Sequence, residues 1–175
     1  MRFSAFLAVV LFTAACSPPR PGGELVVYAN GSASSMRIEG DRAWGPATEL
    51  KRFDDAYRGT LQGLVVDLHF TDDRVHGMVG STRNDFYVSI VEGKIHVQGL
   101  VNGRVSTFDV DAESIEGSFG NCSYEMKRKA ETDDYFGYRS CSSGIFPSSR
   151  VSIPDYIRAL PALDQATIYA LLLAG

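Results

Sequence analysis

The sequence predicts an all-β fold: an antiparallel up-and-down meander, curled into a barrel or roll, with a short C-terminal helix. Three observations support this prediction. Apolar and polar residues alternate from residue 57 to residue 128, and this period of two is typical of strands with one buried face. Short turn signals interrupt the alternation, the strongest being Asn102 followed by Gly103, because both residue types tolerate positive φ. Glycines recur in mid-strand, at Gly77, Gly99 and Gly117, and indicate curvature or close approach of another backbone.

The predicted strands follow one another in hairpins. Ahead of the regular alternation, residues 25–29 and 36–39 are predicted strands, residues 44–46 a loop, and residues 47–58 either a short helix or the approach to a strand. The turns imply a register that places Phe86 opposite Gly99 and Phe108 opposite Gly117, so that a large ring covers bare backbone. The residues expected to face inward are Leu64, Val66, Leu68, Phe70, Val75, Gly77, Val79, Phe86, Val88, Ile90, Ile95, Val97, Gly99, Val101, Ser106, Phe108, Val110, Ile115, Gly117, Phe119, Cys122, Tyr124 and Met126.

The C-terminal part of the chain changes from strands to helix. Residues 135–141 are expected to form a strand that returns beside Cys122, and residues 149–153 a last short strand. Residues 154–160 form one helical piece, and Pro161 opens another that runs to Leu173. Its apolar stripe is too broad for an isolated surface helix. We therefore expect this helix to pack across the sheet or to plug one end of the barrel, with docking of a partner as the alternative.

The N-terminal segment has the organisation of an export signal. Arg2 precedes an apolar run, residues 3–13, that is too short to span a bilayer. Ala14 and Ala15 then precede Cys16, and this segment resembles the lipobox of bacterial lipoproteins, whose cysteine is lipidated and becomes the first mature residue. The resemblance covers residues 1–17 and implies lipidation of Cys16. Thr13 stands where that family usually has Leu, so cleavage by the ordinary signal peptidase remains open, as does a short buried helix.

The resemblance also implies a domain organisation and a cellular location. Residues 1–15 are the signal peptide, residues 16–23 the lipid anchor and a Pro- and Gly-rich tether, and residues 24–175 a single β domain. The protein is then expected in the bacterial cell envelope, attached to a membrane through lipid at Cys16. At the position after the cysteine, Ser17 resembles the outer-membrane class of these lipoproteins, which face the periplasm or the cell surface.

Two further cysteines remain if Cys16 carries lipid. Exported chains favour an even number of thiols that can pair, and Cys122 and Cys141 lie on segments expected to be neighbours. We therefore expect a disulfide between Cys122 and Cys141. Two free thiols are the alternative.

All three histidines fall in one transverse row of the expected outer face. Two-residue turns at 72–73, 92–93 and 102–103, with a four-residue loop at 81–84, set this register. Neighbouring strands lie about 4.8 Å apart, so His69 and His76, with Asp67, form a candidate zinc or copper site. The alternative is a solvated polar face that happens to contain histidines. The full predicted row is His69, His76, Ser89, His96, Asp109 and Glu116, in which His96 and Asp109 form a cross-strand pair suited to proton exchange.

Composition and motifs narrow the function. The net charge of −4 offers no attraction for nucleic acid. The sequence contains no phosphate-binding loop, dinucleotide fingerprint or nucleophile elbow. The predicted function is a non-enzymatic, membrane-anchored binding or envelope-assembly module with no cofactor, whose partner is an envelope protein. The alternatives are a carrier of a small apolar ligand in the barrel interior, and a zinc-binding protein or metal-dependent enzyme that uses the histidine row.

Overall fold

The computed structural model describes residues 22–29, 31–142 and 144–174. They form a closed barrel of fourteen antiparallel strands, which confirms the all-β prediction. The predicted signal peptide and Cys16 lie outside the described residues. No helix in these ranges is long and apolar enough to cross a membrane. The elements are β1 (Gly22–Ala29), β2 (Ser32–Glu39), β3 (Arg42–Gly45), β4 (Thr48–Phe53), β5 (Ala56–Leu61), β6 (Leu64–Thr71), β7 (Arg74–Val79), β8 (Thr82–Val91), β9 (Lys94–Val101), β10 (Arg104–Val110), β11 (Ser114–Phe119), β12 (Cys122–Arg128), β13 (Asp134–Cys141), β14 (Gly144–Ser152), α1 (Asp155–Arg158) and α2 (Ala162–Leu173).

The topology is a simple meander. Each strand pairs with its neighbours in sequence, and β1 closes the barrel against β14 through three residue pairs, from Val26 opposite Ser152 to Tyr28 opposite Arg150. We call the end of the barrel at which β1 begins and α1 lies the proximal end, and the opposite end the distal end. Turns 62–63, 80–81, 102–103 and 120–121 therefore lie at the distal end.

The structure corrects the prediction for residues 44–58. Trp44 belongs to β3 rather than to a loop, and residues 48–53 and 56–61 are β4 and β5, so the helical alternative is wrong. The connection is a tight turn at residues 46–47, in which Ala47 has φ of 56°. Period-two alternation is present here, but it is divided among strands of four to six residues. Such short stretches do not distinguish a strand from a helical turn by pattern alone.

The predicted register is correct at every named pair but one. His69 pairs with His76, Ser89 with His96, and His96 with Asp109. Strands β7 and β8 are joined by a two-residue turn at 80–81 instead of the expected loop at 81–84, so His76 pairs with Asp85 rather than Ser89. The shift is even-numbered, so it keeps the same side chains inward. It nevertheless divides the predicted histidine row into two separate groups.

A belt of glycines brings neighbouring strands close together around the barrel wall. A Cβ atom on Gly77 would lie 2.0 Å from the carbonyl oxygen of Asp67, and one on Gly99 would lie 2.5 Å from that of Asp85. No side chain fits at either position, because the backbone of the preceding strand occupies its place. The predicted facing of Phe86 with Gly99 is confirmed. The belt, defined by the same approach to the preceding strand, comprises Gly45, Gly59, Gly77, Gly99, Gly117 and Gly137.

Helix α2 fills the barrel lumen. Nine of its twelve residues are buried, including Tyr169, which is fully enclosed. Its first turn lies at the proximal end, where Asp164 binds Arg52 at 2.5 Å between Oδ1 and Nε. Its far end lies at the distal turn 120–121, where the amide of Asn121 donates to the carbonyl of Ala174. Pro161 precedes the helix as expected, and the expected plug extends along the lumen rather than closing one end only.

The disulfide between Cys122 and Cys141 is present. The two residues are directly opposite each other on β12 and β13, with an S–S distance of 2.04 Å. This pairing confirms that residues 135–141 return beside Cys122. The bridge ties the distal ends of the two strands together.

Candidate functional site

Of the predicted metal ligands, His69 is paired with Asp67, and its ring stacks on that of His76. Nε2 of His69 lies 3.1 Å from Oδ1 of Asp67, and the rings of His69 and His76 stack with centroids 5.8 Å apart. Asp67 also accepts a hydrogen bond from Nε of Arg58 at 3.0 Å, and this bond lowers the pKa of the Asp67 carboxyl. Within the described ranges, no three His, Cys, Asp or Glu side chains are grouped so as to hold a metal ion.

The carboxylate of Asp85, which lies opposite His76, is also bound by arginines. Arg74 donates to both oxygens of Asp85, at 2.7 Å from Nε and 2.8 Å from Nη2, and Arg83 adds a third bond. These bonds, that of Arg74 foremost, lower the pKa of Asp85 to about 2. Nδ1 of His76 is buried and has no hydrogen-bond partner among the described residues. The surface around the two stacked rings is therefore a network of guanidinium–carboxylate pairs.

The other half of the predicted row contains a hydrogen-bonded histidine–carboxylate pair. Nδ1 of His96 lies 2.8 Å from Oδ1 of Asp109, and Ser89 stands opposite His96 on the adjoining strand. These residue types match a hydrolytic triad, but Ser89 is an exposed residue in the middle of β8. Its neighbouring backbone amides belong to the strand ladder, so they are not aimed together at a developing oxyanion. Ser89, His96 and Asp109 therefore include a base and a carboxylate that orients it, but they lack the groups that would stabilise the oxyanion formed in acyl transfer.

A groove of about 650 Å³ crosses the outer face of β3, β4 and β5. Three cations form a transverse row in it, because Arg42 pairs with Lys51 and Lys51 pairs with Arg58. Trp44 and Glu49, also opposite each other, extend the groove on the distal side of this row. We call this feature the outer groove; its outward-facing lining residues are Glu39, Arg42, Trp44, Glu49, Lys51, Arg58 and Thr60.

Two of the three cations of the outer groove, Arg42 and Lys51, are not closely neutralised, whereas Arg58 donates to Asp67 at 3.0 Å. Lys51 lies 3.9 Å from Asp41, and half of each side chain is exposed. Arg42 forms no ion pair with any residue of the described ranges. Aromatic rings lie beside two cations of this surface: Lys51 lies 5.3 Å from the centre of the Phe53 ring, and the Arg37 guanidinium lies 6.0 Å from the centre of the Trp44 ring. The indole of Trp44 and the unpaired guanidinium of Arg42 therefore lie in the same groove.

Sequence reasoning missed the outer groove because it did not recognise β3 and β4 as strands. Once residues 42–45, 48–53 and 56–61 are aligned as hairpins, alternation places Arg42, Lys51 and Arg58 side by side. The signal that reveals them is therefore the register of three short strands. No single motif in the sequence carries it.

The buried ion pair of Arg52 and Asp164 positions the helix rather than a ligand. The Arg52 guanidinium lies 4.5 Å from the centre of the Phe70 ring, and the side chain of Asp164 is 9% exposed. Burial, and then the charge of Asp164, raise the pKa of the Tyr57 hydroxyl well above its usual range. These groups contact one another inside the barrel wall, and none of them is left available to bind a ligand.

In comparisons with known proteins, no protein family, curated protein or solved structure matches the chain.

Proposed function

We propose that this chain is an exported, lipid-anchored binding module of the bacterial cell envelope that has no catalytic activity and holds a partner protein in the outer groove. The observation that carries the proposal is the combination of a filled lumen with a large concave outer surface lined by Trp44 and three cations. Trp and Arg are the residues that most often dominate binding energy at protein interfaces. Within the row, the unpaired Arg42 and the loosely paired Lys51 favour a partner whose contacting surface is acidic.

The position of β1 sets the orientation of the barrel that a lipid on Cys16 would impose. Strand β1 begins with Gly22 at the proximal end, six residues after Cys16. Six residues span at most about 20 Å. A lipid on Cys16 would therefore keep the proximal end close to the membrane, with the outer groove on the side wall and the distal end pointing away.

The packing of the interior favours this proposal over carriage of an apolar ligand at the barrel centre. Phe86, Phe108, Phe119 and Tyr169 are all fully buried, and the rings of Phe108 and Phe119 stack with centroids 4.4 Å apart. Helix α2 occupies the middle of the lumen. An apolar ligand at the centre would have to displace the helix from its contacts with the wall.

The anchor is tested by metabolic labelling with an alkyne fatty acid in a bacterial host. We expect the wild-type chain to incorporate label and to fractionate with membranes, and the Cys16→Ser variant to lose both properties. Because Cys122 and Cys141 pair with each other, the variant should still fold. A labelled Cys16→Ser chain, or an unlabelled wild-type chain in the soluble fraction, would refute lipidation.

The outer groove is tested by a photo-crosslinking amino acid placed at Thr60 inside it, with Thr107 on the outer face of β10 as the matched exposed control. In living cells we expect a discrete protein adduct from Thr60 and none from Thr107. The adduct should disappear when Arg42→Glu is added, because this change reverses the charge of the unpaired guanidinium. Equal crosslinking from both positions, or an adduct that persists in Arg42→Glu, contradicts the proposed interface.

A further inference from the structure

The distal end of the barrel contains a second concave site. A cavity of about 340 Å³ opens there, above the last turn of α2. Leu171 and Leu172 from the helix form an apolar floor, and Asn102 and Asn121 from two distal turns supply polar groups at the rim. We call this cavity the distal mouth. Its volume lies at the lower end of the range for small-molecule sites.

An arginine projects into the distal mouth from the inner face of the barrel. Arg139 lies on β13 and lines the cavity. Its Nε donates to the hydroxyl oxygen of Tyr124 at 3.0 Å, and that hydroxyl donates to the carbonyl of Leu173 at 2.5 Å. The rings of Tyr124 and Phe146 flank the guanidinium, each with its centre 5.9 Å away. The guanidinium is therefore held in one orientation before any ligand arrives.

The charge of Arg139 is not neutralised by any carboxylate of the described residues. Its hydrogen bonds there go to the Tyr124 hydroxyl and to the sulfur of Cys122. Both acceptors are formally neutral, and a charged group in a half-enclosed, partly apolar site is costly without a counter-charge. A pre-oriented guanidinium with free N–H groups is suited to paired hydrogen bonds with a carboxylate or a phosphate.

We propose that the distal mouth binds a small anion, a carboxylate or phosphate monoester with a short apolar tail. The anionic head contacts Arg139, and the tail lies on Leu171 and Leu172. This site is independent of the outer groove, because it lies inside the barrel rim and shares no lining residue with the groove. Either site can therefore exist without the other.

The site is tested by amide NMR titration of the exported, disulfide-bonded chain carrying Cys16→Ser, which is soluble without detergent if lipid is its only anchor. The probes are hexanoate, hexyl phosphate, hexanol and hexylamine. We expect saturable shifts at Asn102, Asn121 and Leu172 with one or both anions, the tighter anion identifying the preferred head group. Hexanol and hexylamine should bind about ten-fold more weakly or not at all, since charge-assisted hydrogen bonds contribute about that factor or more.

Two variants separate ligand binding from folding. Arg139→Met should weaken binding of the anion about ten-fold or more, whereas Arg150→Met, which removes a cation from the outer surface, should leave it unchanged. Ser34→Trp should fill the distal mouth without touching the contacts of Arg139, since Ser34 is an exposed residue of the cavity lining. It therefore provides the test if Arg139→Met fails to fold.

Three results would overturn the proposal. One is equal affinity for hexanol and the anions, and another is binding that persists in Ser34→Trp or in a folded Arg139→Met. The third is a set of shifts confined to the outer groove. None of these results bears on the crosslinking test at Thr60, so failure of the two proposals can be distinguished.

Discussion

Replacing Gly77 by alanine tests whether the glycine belt allows the close strand spacing of this barrel. The added Cβ would lie 2.0 Å from the carbonyl oxygen of Asp67 and 3.0 Å from the Cα of Leu68. Both atoms are backbone, so the clash cannot be relieved by turning a side chain. The φ of 146° at Gly77 is a conformation that residues with a Cβ rarely adopt, and Gly77→Ala therefore combines strain with overlap.

The magnitude follows from comparison with a glycine that also has a positive φ but has no neighbouring atom at the Cβ position. Gly63 has φ of 80°, and nothing lies within 4 Å of the position its Cβ would take. Gly63→Ala should therefore cost only the left-handed penalty of about 1–2 kcal/mol. Gly77→Ala adds overpacking of about 1–3 kcal/mol to a backbone strain of about 1–3 kcal/mol. We expect a total of about 2–6 kcal/mol, above the cost at Gly63.

The assay is equilibrium urea unfolding of both variants and wild type with the disulfide intact. Far-ultraviolet circular dichroism reports the strands, and the fluorescence of the single tryptophan, Trp44, reports the region of β3. Similar m-values would show that unfolding exposes similar surface in all three proteins. If Gly77→Ala loses no more stability than Gly63→Ala, close backbone approach is not what requires glycine in the belt.

Three further predictions concern stability. Replacing Cys122 and Cys141 by serine should cost about 3 kcal/mol by the loop-entropy relation, measured by urea unfolding against reduced wild type, which should show the same loss. Asp164→Ala should cost about 2–3 kcal/mol because it leaves a partly buried guanidinium without its carboxylate, whereas Asp41→Ala, at an exposed pair, should cost less than about 1 kcal/mol; equal losses would contradict the anchoring of α2. The folded pKa of Asp85, about 2, lies below its usual range, so its stabilisation is complete above about pH 4 and is lost as pH falls through 2. Unfolding of Asp85→Asn should therefore show a shallower decline in stability between pH 4 and pH 2, and an unchanged slope would refute this assignment.

Much of the wall of the barrel could be predicted from local sequence. The turn at Asn102 and Gly103 sets the pairing of β9 with β10, so the contact of His96 with Asp109 follows from counting residues. The same counting failed between β7 and β8, where residues 80–81 form a tighter turn than expected. Turn length is weakly encoded when Gly, Ser, Thr and Asn occur together, because several of these residues tolerate turn conformations.

The candidate sites depended on contacts that local sequence does not encode. The outer groove needed the register of three short strands. The distal mouth needed Arg139 to meet the end of α2, where Tyr124 bonds to Leu173 across 49 residues of sequence. Arg58, which binds the predicted metal ligand Asp67, and Arg74, which binds Asp85, each come from an adjoining strand. Which partner a carboxylate takes is decided by such neighbours, and no spacing rule within one strand reveals them.

The sequence by itself determined the strands between residues 57 and 128 and the belt glycines at 77, 99 and 117, because a period of two and tight turns act over fewer than ten residues. It also determined the inward face of these strands, except that Leu64 and Ile90, near strand ends, are exposed. It also brought Cys122 and Cys141 to neighbouring strands. Only the tertiary structure decided that β1 closes on β14 and that α2 lies in the lumen, held by an ion pair between residues 112 positions apart. Closure and filling of the barrel depend on the total wall length and on the volume of all inward side chains together, and no local segment of the chain specifies either quantity.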